Sequence, residues 1–98
     1  MRHAKRTDAN HAAIRDGLRE RGYEVLDLSA AGQGVPDLCV RINDERGMAF
    51  VPRFLEVKDG AKPPSARALS EAEIEWSRWC WRITSTVTSL EEALEALK

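Results

Sequence analysis

Six residues, 44–49, separate two apolar runs, DLCVRIN (37–43) and FVPRFLEVK (50–58). A connection this short joins neighbouring strands only as an antiparallel hairpin, because a parallel return takes about a dozen residues or more. The pair constrains the fold more than any other feature of the chain. A turn within Glu45–Met48, centred between Arg46 and Gly47, gives opposed residues position numbers that sum to 93. In that register Leu38, Val40 and Ile42 share a face with Val51 and Leu55, and only Arg53 is out of character there. The other face sets Asp37 opposite Glu56, with Lys58 on the same side, because strand side chains alternate. A one-residue slip loses the apolar face and the charged cluster together.

The flanking segments complete an α/β pattern. Thr7 or Asp8 can cap a first helix running to about Arg21, with Ile14 and Leu18 at i, i+4 spacing and Gly22 as its stop. YEVLDLS (23–29) alternates as a strand, and AAGQGVP (30–36) is a glycine loop. Pro52 is tolerable in the third strand only near its start or at a bulge. After the extended loop DGAKPPSARAL (59–69), Ser70 and Glu73 make a capping box, and Leu69 with Ile74 makes a hydrophobic staple. That helix carries Trp76 and Trp79 to about Cys80. RITSTV (82–87) is a fourth strand, and Ser89 with Glu92 caps a last helix whose Leu90, Leu94 and Leu97 form one stripe. The expected order is α-β-β-β-α-β-α, a mixed central sheet flanked by helices in one domain over 1–98.

The totals exclude several classes. A chain of 98 residues, 43% hydrophobic and 32% charged, is large enough for one core and too apolar for a disordered tail. No apolar run approaches the roughly 20 residues of a membrane span, and no signal-peptide pattern opens the chain, so a cytoplasmic protein is expected. Cys39 and Cys80 read as reduced thiols; with His3 and His11 they lack the short spacing of a zinc site. The net charge of −1 hides an asymmetry. Residues 1–21 carry Arg2, Lys5, Arg6, Arg15, Arg19 and Arg21 against Asp8, Asp16 and Glu20, while acidic groups prevail from 68 onward. Local basic patches suffice for phosphate contact, although charge runs are also ordinary solvated faces.

Two carboxylates opposed across a hairpin repel each other, and something must offset that cost. A divalent cation does so: Mg²⁺ takes oxygen ligands, commonly one or two carboxylates plus water and substrate phosphate oxygens. Lys58 beside it is placed to orient a water or to neutralise charge on a phosphoryl centre. A structural salt bridge from Lys58 to Glu56 or Asp37 explains the same residues, and chemistry alone leaves both readings open.

Pro36-Asp37 followed by Glu56-Val57-Lys58, in this element order, resembles the PD-(D/E)xK nuclease superfamily and its restriction-endonuclease-like core. GQGVPDLCV (32–40) and FLEVKDGAKPPSARALS (54–70) are similar to the small VRR-NUC-like nucleases of phages and prophages, and more distantly to archaeal Holliday junction resolvases. The resemblance implies Asp37 and Glu56 as metal ligands, completed by the Val57 backbone carbonyl, and Lys58 as the catalytic lysine. It implies an endonuclease that needs Mg²⁺ or Mn²⁺, acts on branched, flapped or nicked DNA, is often a homodimer, and works in the cytoplasm of a bacterial or phage-infected cell. A binding module that kept the fold without turnover is the alternative.

Two positions depart from the family. Relatives often carry a metal-reaching glutamate on the first helix; here the region reads Asp8-Ala9-Asn10-His11, and His11 falls nearest the position, as a ligand or as a solvent-facing histidine. Relatives also often have a glutamine near Ile74, which reads here as the staple residue. For DNA contact, Lys62 and Arg67 lie in the loop beyond the Glu-Val-Lys strand, Ser29 and Gln33 in or beside the glycine loop, and Lys5 and Arg6 in a basic arm over 1–6. Trp76, Trp79 and Trp81 invite base stacking, but the shared helical face of 76 and 79 favours a core or subunit contact.

Overall fold

The computed structural model describes residues 8–43, 47 and 49–98. Helix α1 spans His11–Glu20, strand β1 Glu24–Asp27, β2 Leu38–Asn43 and β3 Phe50–Val57. A single 3₁₀ turn, Pro64–Arg67, precedes α2 (Glu71–Cys80), and β4 (Thr84–Val87) and α3 (Leu90–Ala96) complete the chain. The strands form one sheet in the order β1-β2-β3-β4. The first two pairings are antiparallel and β3–β4 is parallel, so the sheet is mixed.

The β2–β3 register pairs Leu38 with Leu55, Val40 with Arg53 and Ile42 with Val51. This is the register expected from the apolar pattern, although most of the turn that joins the strands lies outside the described residues. Its odd–even logic divides the sheet. Leu38, Val40, Leu55 and Val57 point to one face, where Ile14 and Leu18 of α1, Val87 of β4, and Ala93 and Leu97 of α3 bury them. Arg53 escapes this core by donating from Nη2 to the Ala96 carbonyl at 2.8 Å. On the opposite face α2 covers one end of the sheet, where Trp76 meets Phe54 edge-on at 5.4 Å.

Local chemistry moves several boundaries. The first helix begins at His11, later than the Asp8 cap proposes, and its N-cap Asn10 makes no side-chain cap. Asn10 Nδ2 instead donates to the carbonyls of Lys58 (3.0 Å) and Thr88 (2.7 Å), tying the helix start to the ends of β3 and β4. Strand β1 stops at Asp27 because that carboxylate accepts from the Ser29 backbone N–H at 2.9 Å, turning the chain out of the sheet. Pro52 sits in the half of β3 that pairs with β2 alone, where a missing N–H is tolerated. The capping box of α2 forms as expected from Ser70 and Glu73. At α3 the Ser89 hydroxyl accepts from the Glu92 N–H, but the Glu92 carboxylate turns to Thr88.

The glycine loop over 30–36 reaches across to α2. Gly34 has φ +82°, and a Cβ there would lie 2.2 Å from the Ala72 carbonyl oxygen, so only glycine fits. No helix among the described residues is long and apolar enough to cross a membrane.

Candidate active site

Asp37 stands immediately before β2, one step beyond its paired residues, and is 3% exposed. Its Oδ2 accepts from the Val57 backbone N–H at 2.8 Å, which fastens the carboxylate to β3. Pro36 before it is fully buried and removes a backbone donor where the chain enters the sheet. Glu56, 4% exposed, is the residue that the register sets opposite Asp37. The structure thus brings Asp37, Glu56, Val57 and Lys58 together at one end of the hairpin.

Lys58 makes the closest contacts of this group with a residue that sequence reasoning read only as a cap. Its Nζ lies 3.0 and 3.3 Å from the two oxygens of Glu73 and 3.5 Å from Glu56 Oε1. Glu73 Oε1 also accepts from the Ser70 N–H at 2.8 Å. One carboxylate therefore closes the capping box and anchors the lysine. The signal was present in the helical period: a residue at the third position of α2, three before the half-buried Trp76, points back towards the sheet. Ile74, near which the resemblance expects a glutamine, is 42% exposed, and its neighbour Glu73 is buried.

The charges are strongly coupled. Burial raises the Glu73 carboxyl, but hydrogen bonds shared with Glu56, the Ser70 N–H and Lys58 outweigh it and hold the group at about 2. Burial likewise works against the Lys58 ammonium, yet Glu73 and Glu56 raise its pKa above the ordinary lysine value. Lys58 is therefore a permanent cation at neutral pH.

Asp37, Glu56 and Glu73 are all buried, and carboxylate oxygens are the donors that a hard cation takes. Oxygen donors of this kind suit hard divalent cations such as Mg²⁺ or Mn²⁺ rather than softer ions. Among the described residues no three His, Cys, Asp or Glu side chains converge as a ready cage. Mg²⁺ commonly needs only one or two carboxylates, with water and substrate oxygens for the rest.

His11 engages a different carboxylate. It is 4% exposed, with Nε2 at 3.0 Å from Asp27 Oδ2, and it is not solvent-facing. Arg15 Nη1 donates to the same oxygen at 2.9 Å, and the Ser29 hydroxyl donates to Asp27 Oδ1 at 2.6 Å. Burial opposes the Asp27 charge, but Ser29, His11 and Arg15 together hold the carboxyl far below its usual range. Ser29 thus serves Asp27. Gln33 is exposed in the glycine loop at φ +57°. Lys62 Nζ pairs with Asp8 at 3.0 Å, and Arg67 is half-buried in the 3₁₀ turn. Lys5, Arg6 and the rest of the proposed basic arm lie outside the described residues. Trp76 is half-buried, whereas Trp79 and Trp81 are 82% and 65% exposed, so of the expected core or subunit contact the core part holds for Trp76 alone.

No protein-family model, curated protein or solved structure matches the chain.

Proposed function

We propose that this protein is a metal-dependent, structure-selective DNA endonuclease with a restriction-endonuclease-like core. The observation that carries the reading is the Asp37–Glu56–Lys58 group at the end of the β2–β3 hairpin, its two carboxylates buried and its lysine half-buried beside Glu56. Asp37 and Glu56, with the Val57 carbonyl, would hold the divalent cation. Such an ion lowers the pKa of a bound water and stabilises charge developing on the phosphoryl group. Lys58, kept cationic by Glu73 and Glu56, acts as a positioning and charge-neutralising group rather than as a base, since it has no free electron pair at neutral pH. Val57 and Glu73 fix the orientations of Asp37 and Lys58 before substrate arrives, which lowers the reorganisation cost of reaction. Lys62 and Arg67, beyond the end of β3, supply phosphate contacts, and Gln33 supplies a donor from the glycine loop. Branched, flapped or nicked DNA is the substrate class, the cytoplasm the compartment and a homodimer the working form.

A second reading has its own observation: Lys58 is already paired, so the cluster also suits a structural ion-pair group in a non-cleaving DNA-binding module. Labelled four-way junction, flap, nicked and linear DNA, incubated with Mg²⁺, Mn²⁺ or EDTA, separates the two. Metal-dependent cutting that vanishes in Asp37→Ala supports the nuclease. Binding without cutting under either metal supports the module.

A further inference from the structure

The sheet is covered unequally on its two sides. Leu26, Cys39 and Phe54 are cross-strand partners in one row, and Phe54 meets Trp76, so that row faces the α2 side. Phe50, four residues before Phe54 on the same strand, faces that side too. Helix α2 reaches only the Phe54 end, and Leu26 and Phe50 stay 61% and 59% exposed. An open groove of about 330 Å³ on this side is lined by Glu24, Val25, Leu26, Cys39 and Arg41. A second exposed apolar surface stands at the end of α2, where Trp79 and Trp81 are 82% and 65% exposed. Among the described residues no large exposed hydrophobic side chain belongs to α1 or α3. An apolar sheet face ordinarily takes a second layer of cover, and α2 supplies half of one.

We infer that two copies of this chain pair so that the tryptophan-bearing end of α2 in each lies on the open β1–β3 face of the other. The inference rests on the homodimer named above and assigns it two surfaces. Charge favours this match. Glu24 keeps 71% of its side chain exposed, and its Oε2 accepts from Arg41 at 3.1 Å, so the carboxylate has a second oxygen to offer an arginine. The end of α2 brings one: Arg82 is exposed, with its guanidinium over the Trp81 ring at 5.1 Å, whereas Arg78 already pairs with Glu75. Tryptophan and arginine are the side chains that carry most binding energy at protein interfaces. The Glu24 carboxylate repels a phosphate backbone, so the groove suits a protein surface and not a nucleic acid. Both halves of the match are on one chain, so the contact is made twice about a two-fold axis and closes.

Sedimentation of the intact protein across micromolar concentrations, without DNA or metal, tests the pairing. Wild type is expected to be a concentration-dependent dimer. Leu26→Glu and Trp79→Glu, both at exposed positions, should each weaken it by about tenfold or more. An equimolar mixture of those two variants should dimerise again, because the mixed pair keeps one intact contact. Circular dichroism reports the fold of each variant. Where Leu26→Glu does not fold, Glu24→Arg and Arg82→Glu replace the mixture: each alone weakens the dimer, and the two in one chain restore it. A wild type that is monomeric at every concentration overturns the inference, as does a mixture or a charge reversal that restores nothing. A dimer indifferent to Trp79→Glu also overturns it, since sheet then meets sheet. A monomer that cuts DNA under metal removes this pairing and leaves the nuclease reading, whereas a complementing dimer that does not cut does the reverse.

Discussion

At the residue scale the decisive contact is Lys58 with Glu73. Glu73 ionises at about 2 in the folded protein, below its usual 4.5, so folding favours its charged form. The stability from this shift is fully present above the unfolded value and is lost as pH falls from about 5 towards 2. Denaturant unfolding across that window should show wild type losing more stability than Glu73→Gln, which keeps the cap but has no charge to lose. The sign for Lys58 is opposite. Its raised pKa gives stability present below the unfolded lysine value and lost as pH climbs through the folded one. At pH 7 Glu73→Gln should destabilise by about 1–3 kcal/mol, because it leaves the half-buried ammonium with Glu56 alone.

At the element scale the joints matter more than the elements. Helix α1 is held to the sheet by Asn10, whose side chain bridges the carbonyls after β3 and β4. Asn10→Ala removes both bonds and should cost about 1–3 kcal/mol, read as a lower denaturant midpoint with an unchanged slope. Gly34 is the joint between the glycine loop and α2. Gly34→Ala would set a methyl group against the Ala72 backbone at a positive φ, and a loss of about 2 kcal/mol or more is expected. Thermal unfolding that is indistinguishable from wild type would show that α2 can withdraw from the loop without cost. These joints escaped sequence reasoning because capping residues and loop glycines look alike whatever they touch.

For the whole molecule, the two faces of the sheet differ. One is covered by α1 and α3, while the other is covered by α2 at one end and leaves Leu26 and Phe50 about 60% exposed. Trp79 and Trp81, at the end of α2, are 82% and 65% exposed. If the proposed homodimer uses the tryptophan-bearing end of α2, Trp79→Glu should turn a concentration-dependent dimer into a monomer in sedimentation. A wild-type protein that is monomeric at every concentration would remove the homodimer from the proposal. Divalent metal should also raise the thermal midpoint of the wild type and not of Asp37→Ala, because only a native-state ligand stabilises by mass action.

The sequence by itself determined the hairpin, its register and the pairing of Asp37 with Glu56 and Lys58. Each follows from the two-residue period of a strand and the shortness of the connection, both local quantities. It also determined the mixed α/β order and the cap at Ser70, since a capping box is written within four residues. Only the tertiary structure decided that Glu73 anchors Lys58, that Asn10 abandons its cap for two strand ends, and that His11 turns to Asp27. Those partners lie 15, 48 and 16 residues away in the chain, and the last joint, Asn10 to Thr88, spans 78. Such contacts depend on how α1 and α2 dock against opposite faces of the sheet, which no local period encodes.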